Sequence, residues 1–159
     1  MIILDVETTG FSPRRDKIIE VAVLKLKGRK IEDQFSTLIN PFKPISTSIS
    51  RLTGLTQADL KAAPSFQEIE TELFRFMRGH RIYGYNVAFD KRFLVRSSKR
   101  FNCFIFKDYL KFVKKRRPNY TDYKMKSVAR KLGIRVNHTH RAINDVNILW
   151  EIMRRLGWG

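Results

Sequence analysis

The chain opens on an apolar run, Ile2, Ile3, Leu4 and Val6, that is broken twice by acids, at Asp5 and Glu7. A strand sends residues i and i+2 to one face, so this spacing predicts a strand from which both carboxylates leave side by side. Thr8-Thr9-Gly10 is turn chemistry and ends it. Ile18 to Lys30 reads as a second strand, apolar at Val21, Val23, Leu24 and Leu26, with a turn signal at Gly28-Arg29-Lys30. Ile31 to Ile39 follows as a third. The connections are too short for crossover helices, which predicts a meander. Asn40-Pro41-Phe42-Lys43-Pro44 closes that section, since proline disfavours strand and helix interiors.

Helical spacing takes over next. Thr56 with Asp59 reads as the cap of a short turn toward Leu60. Ser65 with Glu68 caps a longer helix through Phe66, Ile69, Leu73, Phe76 and Met77, ending near Gly79. Arg81 to Tyr85 is a short strand, followed by a helix from Val87 to Arg96 with Phe89, Phe93 and Leu94 inward. Cys103 to Phe106 reads as a further strand, and Asp108 to Lys115 as a helix broken before Pro118. Asp122 is expected to cap a helix through Met125, Val128, Ala129 and Leu132, stopped by Gly133. Arg141 to Leu156 carries Ala142, Val146, Leu149, Met153 and Leu156 at steps of four and three, the clearest helix of the chain. A meander followed by strand–helix alternation predicts an α/β fold. With 159 residues and no linker-like stretch, one domain spanning 1–159 is expected.

Charge changes the picture more than composition does. Thirty-two Lys and Arg against 15 Asp and Glu give +17. Solubility does not require so one-sided a balance, and a polyanion, nucleic acid above all, is the expected partner. Between Lys91 and Lys131 there are 15 basic residues and two acids, Asp108 and Asp122. Tyr109, Phe112, Tyr120 and Tyr123 are interleaved there, and the stretch is expected to hold a strand by phosphate contacts and stacking. No apolar run approaches the roughly 18 residues of a membrane span, so no membrane partner is expected. Asp5 interrupts the opening with no basic segment before it, so no signal peptide is expected, and the lone Cys103 suits a reducing cytoplasm.

Three segments place an acid where the pattern asks for an apolar residue: Asp5 with Glu7, Asp90 in N-V-A-F-D, and Asp145 in H-R-A-I-N-D. Asp145 lies three residues after Ala142 and four before Leu149, on the buried side of the last helix. Separate caps or ion pairs with nearby Lys and Arg are one account. The other is a carboxylate cluster for hard divalent cations, Mg²⁺ or Mn²⁺, which prefer oxygen ligands. Two such ions can clamp an in-line displacement at phosphorus. His140, at the start of the last helix, is placed to serve as a base near neutral pH, while His80 and His138 read as solvated or capping residues.

D-V-E-T-T-G, Y-N-V-A-F-D and H-R-A-I-N-D, in this order, resemble the three motifs of the DEDDh 3′-to-5′ exonucleases, the family of the epsilon proofreading subunit of bacterial DNA polymerase III. L-T-G-L-T-Q-A-D-L-K-A-A-P-S-F, between the first two, is also similar. The resemblance implies a ribonuclease H-like fold, a mixed central sheet flanked by helices. It implies that Asp5, Glu7, Asp90 and Asp145 hold two divalent cations, with Asp5 bridging both, Glu7 and Asp145 on the tighter ion and Asp90 acting largely through water. His140 matches the general base; the tyrosine subclass needs Tyr where Arg141 stands. Thr8 matches the backbone that meets the terminal nucleotide, and Asn86 a residue near the substrate strand. Tyr85 stands where relatives often carry His, which bears on stacking or sugar contacts at the terminal base. Asp108 reads as structural. The implied activity is release of nucleoside 5′-monophosphates from single-stranded 3′ ends, DNA favoured over RNA, with a DNA polymerase as a candidate partner. Little chain remains after the last helix for a polymerase-binding tail. The competing readings are an RNA-trimming exonuclease of the ribonuclease T or oligoribonuclease type, and a silent nucleic-acid-binding module. Such a module is expected to have lost an acid or the base; all five are present here.

Overall fold

In the computed structural model, which describes residues 1–136 and 140–157, the apolar opening forms strand β1 (Ile2–Thr8). β2 (Ile18–Lys27) and β3 (Lys30–Leu38) follow antiparallel, joined at a hairpin tip where Gly28 takes φ +59°. β4 (Ile82–Gly84) and β5 (Phe106–Asp108) lie parallel to β1 on its other side, giving the order β3-β2-β1-β4-β5. The sheet is mixed, as expected. β2 is covered on both faces and is therefore apolar almost throughout, while β3 is an exposed edge.

The period of two along β1 divides the core. Ile2, Leu4 and Val6, with Val21 and Val23, pack on α3 (Phe66–Met77) and α4 (Ala88–Ser97) through Ile69, Leu73, Phe93 and Leu94. Ile3, with Ala22 and Leu24, packs on α6 (Met125–Lys131) and α7 (Ala142–Leu156) through Val128, Val146, Leu149 and Met153. Asp5 and Glu7 continue the face of Ile3, so they emerge beneath the start of α7.

The other helices are α1 (Thr47–Thr53), α2 (Gln57–Lys61) and α5 (Tyr109–Arg116). Both expected capping boxes form, Thr56 with Asp59 at α2 and Ser65 with Glu68 at α3. No described helix is long and apolar enough to cross a membrane.

Three expectations are corrected. The strand expected at Cys103–Phe106 begins only at Phe106, because Lys99–Cys103 winds into a 3₁₀ turn that buries Phe101 among Phe66, Phe74 and Phe104. Asp122 stands two residues before the α6 cap, Lys124; its carboxylate accepts from the Lys124 N–H and the Ser127 hydroxyl. Of the aromatics in the basic stretch, Tyr109 is withdrawn from any stacking role, while Phe112, Tyr120 and Tyr123 stay partly exposed. Tyr109 is buried with its hydroxyl on the Gly157 carbonyl, and Phe112, Tyr120 and Tyr123 pack against the α7 core.

Candidate active site

The site assembles at the end of β1. Between Glu7 and Thr8 the pairing with β2 shifts by one residue, a bulge of the kind that re-aims side chains beside functional sites. Pairing of β1 with β4 stops at Ile3, and farther along that edge the Val6 N–H donates to Asp90 Oδ1 at 3.0 Å. Asp90, in the first turn of α4, is thereby drawn under β1 and buried. Asp145 lies in the first turn of α7, in the same buried stripe as Ala142, Val146 and Leu149.

Glu7, His140 and Asp145 each offer one ligand atom within 4.8 Å of the others. His140 Nδ1 lies 3.7 Å from Asp145 Oδ2, and the His140 N–H donates to the Leu52 carbonyl at 2.9 Å, which ties the residue to the end of α1. Asp145 Oδ1 is buried with no hydrogen-bond partner among the described residues. An orphaned carboxylate oxygen is costly in a protein interior.

The acids strain against one another. Burial, then Asp90, Glu7, Asp145 and Glu20, raise the Asp5 carboxyl well above its ordinary value. Burial, then Asp145, push Glu7 up to about 8. Burial lifts Asp90 to about 7 although its own and the Val6 N–H groups pull back, and burial lifts Asp145 to about 6 against the opposing Lys126 ammonium. Burial, then Lys126, hold the His140 imidazole below its usual range, so it is neutral at pH 7 with a lone pair to offer.

Of the residues matched to substrate contacts, Thr8 is buried and its hydroxyl closes the following turn onto the Gly10 carbonyl at 2.6 Å. Asn86 is exposed in the left-handed region, φ 60°, where its N–H donates to Asp108 Oδ1. Asp108 also caps α5 through the Leu110 N–H. The Tyr85 hydroxyl donates to the Tyr123 carbonyl, so any contact of Tyr85 with substrate falls to its ring. His138 lies outside the described residues.

Two further residues belong to this region, each with a signal in the sequence. Glu20 pairs across from Glu7, is 1% exposed, and accepts from Arg141 and the Ala142 N–H. An acid inside I-I-E-V-A-V is the same anomaly as Asp5 inside β1. Phe11, just past Thr8-Thr9-Gly10, is 83% exposed, with its edge on Phe89.

An exonuclease family model of the RNase T type matches residues 2–153. The DNA polymerase III epsilon subunit of Aquifex aeolicus is 30% identical over 159 residues, 98% of this chain and 79% of that protein. The chain belongs to the DEDDh exonuclease family. As a member it is a 3′–5′ exonuclease. The PolC-type DNA polymerase III of Caldanaerobacter subterraneus subsp. tengcongensis is 32% identical over 158 residues, but this exonuclease spans only 11% of that protein's length. In fold, it is similar to the nuclease domain of 3′hExo, a DEDDh member bound to rAMP, with a TM-score of 0.84 at 21% identity over 97% of this chain and 89% of that one. Exonuclease X in complex with 5′-overhanging duplex DNA gives 0.75 at 23% identity, over 99% and 93%.

Proposed function

We propose that this exonuclease removes nucleoside 5′-monophosphates from the 3′ end of DNA, with Asp5, Glu7, Asp90 and Asp145 holding two divalent cations, Mg²⁺ or Mn²⁺, and His140 as the base. One observation carries the reading: Glu7, His140 and Asp145 converge within reach of one ion, and Asp145 Oδ1 is buried with no donor among the described residues. Acids pushed up by burial and mutual repulsion, all offering oxygen, suit a hard divalent cation. Bound there, such cations neutralise phosphoryl oxygens and lower the pKa of a ligated water.

The protein's own residues do the rest. His140 presents Nδ1 toward Asp145, which leaves Nε2 to take the proton from the attacking water. Oxygen from that water joins phosphorus, the bond to the 3′-oxygen of the preceding nucleotide breaks, and that oxygen leaves with the bonding pair and takes a proton from solvent to become the new 3′-hydroxyl. Asp90, locked on the Val6 N–H, holds the start of α4 against β1, and Thr8 shapes the turn that offers backbone to the terminal nucleotide. Phe11, exposed at that turn, is a face for a base to stack on.

DNA is favoured because the relatives of 30–32% identity are DNA polymerase III proteins; on the same ground a DNA polymerase is the proposed partner, in proofreading or repair. The test is digestion of matched 5′-labelled DNA and RNA oligonucleotides, single- and double-stranded, in Mg²⁺ or Mn²⁺, with products sized over time. Stepwise shortening of DNA that Asp5→Ala and EDTA both abolish is expected. Faster RNA than DNA digestion would reassign the substrate to RNA trimming, and no digestion by the wild type would leave a binding module.

A further inference from the structure

One face of the molecule carries cations that the hydrolytic chemistry does not use. A groove of about 650 Å³ runs along the outer side of α4 and is lined by Arg14, Lys91, Arg92, Arg96 and Lys99, with no acid among its lining residues. A second groove of about 590 Å³ shares Lys91 and adds Lys107 and Lys111. Its one acid, Asp108, is engaged by the Asn86 and Leu110 N–H groups.

The neighbouring acids are all turned elsewhere. Asp90 points at Val6, Asp16 accepts from Ser12 and Thr9 and pairs with Lys43, and Glu70 takes Arg100. Among the described residues, Arg14, Arg92, Arg96 and Lys99 have no carboxylate partner. Arg92 and Arg96 on α4, with Lys99 just past the helix and Arg14 in the β1–β2 loop, bring like charges together around one groove, and a polyanion lying between them relieves that repulsion.

The groove shares two elements with the candidate active site, α4 and the loop that leaves β1. Lys91 follows Asp90 on α4. The loop that leaves β1 past Glu7 and Thr8 delivers Phe11 onto Phe89 and then Pro13 and Arg14 into the groove wall. From these we infer that the α4 groove and the β1–β2 loop form a backbone track for the strand being digested, holding its phosphates upstream of the terminal nucleotide. The inference rests on the nucleic-acid reading of the site. The cations of the loop, of α4 and of the turn after it line one groove, which suits one backbone. Ten residues of α4 span about 15 Å, a length that more than one phosphate of a single strand can follow.

The test compares two double charge reversals that change net charge equally: Arg92→Glu with Arg96→Glu in the track, and Arg29→Glu with Lys30→Glu at the hairpin tip. All four side chains are exposed, and matched thermal melts confirm folding. Binding of labelled single-stranded oligodeoxynucleotides of five, ten and twenty nucleotides is read by anisotropy in EDTA across a salt series. The track variant is expected to lose affinity on the order of tenfold for the longest strand and less for the shortest, and its salt slope to fall by about 1.4, two single-strand phosphate contacts. The hairpin variant should move much less. Equal losses from both variants would overturn the inference. If the wild type binds with this pattern but digests nothing in Mg²⁺ or Mn²⁺, the hydrolytic reading fails and the track stands. If digestion proceeds and is indifferent to Arg92 and Arg96 at every length, the track fails and the hydrolytic reading stands.

Discussion

Arg141 grips Glu20 with a fork: Nε lies 3.1 Å from both carboxylate oxygens, and Nη2 lies 3.0 Å from Oε1. The same carboxylate accepts the Ala142 N–H at 3.0 Å, so Glu20 holds the first turn of α7 onto β2. Because Glu20 stands across from Glu7, the pair also decides how many free carboxylates the site contains. With Arg141 in place there are four; without it Glu20 is a fifth, buried and unneutralised.

Arg141→Ala is therefore expected to cost about 3 kcal/mol, the lower end for breaking a buried pair because Arg141 is 36% exposed. Adding Glu20→Ala should return part of that loss, since the stranded charge is gone. Urea melts of both single variants and the double variant read the coupling. Simple additivity would mean the two residues act independently.

Asp145→Asn should stabilise the metal-free protein while destroying its activity. The native carboxyl is buried, raised to about 6, and carries an oxygen with no donor, so at pH 7.5 its charge works against the fold. An increase in Tm of a few degrees is expected without added metal, together with loss of the Mg²⁺-dependent shift. A lower Tm would show that the carboxylate is satisfied without a cation.

The same acids set a pH dependence. A carboxylate whose folded pKa lies above its unfolded value keeps a proton in the folded state that the unfolded chain gives up. Its favourable effect is complete below about pH 4 and is lost as pH rises through the folded values. For Asp145, Asp90 and Glu7 these are about 6, 7 and 8. Metal-free stability should thus fall from pH 5 to 8.5, and the gain in Tm on adding Mg²⁺ should grow over the same window. Comparing melts with and without Mg²⁺ at each pH removes the effect of the chain's general positive charge. A gain independent of pH would detach cation binding from these carboxyls.

What could be read from the chain alone was whatever a short period exposes. Asp5 and Glu7 two apart, and Asp145 between Ala142 and Leu149, are anomalies within a single element. Glu20 escaped because its meaning lies in the β1–β2 register and in a helix 121 residues later. The burial of Tyr109 within the basic stretch escaped for a related reason. Tyr109 and Val113 share the inward face of α5 while Lys111, Lys114 and Lys115 face out, so their mixture in sequence separates in space. The start of β5 depended on Phe101, whose burial turns the chain before the strand begins.

Gly10 tests the loop between the acids and the groove. A Cβ there would lie 2.5 Å from Asp16 Oδ2, so Gly10→Ala must displace the carboxylate that accepts from Ser12 and Thr9. The loop carrying Phe11 should shift, raising KM severalfold with a smaller change in kcat. Asp16→Ala, which frees the space but removes the acceptor, should do the same. An unchanged KM in both would uncouple the loop from substrate.

His140→Ala separates chemistry from binding. The residue is placed by its backbone, through the N–H bond to Leu52, and its side chain makes no hydrogen bond within 3.5 Å to any described residue. Removing the imidazole should leave the loop where it is. As a base it should then cost about 10²–10⁴ in kcat, while the dissociation constant for a twenty-nucleotide strand changes by no more than about threefold. Single-turnover rates and anisotropy on one preparation give both numbers. If affinity and rate fall together, the imidazole is a substrate contact and the proton must go to another acceptor.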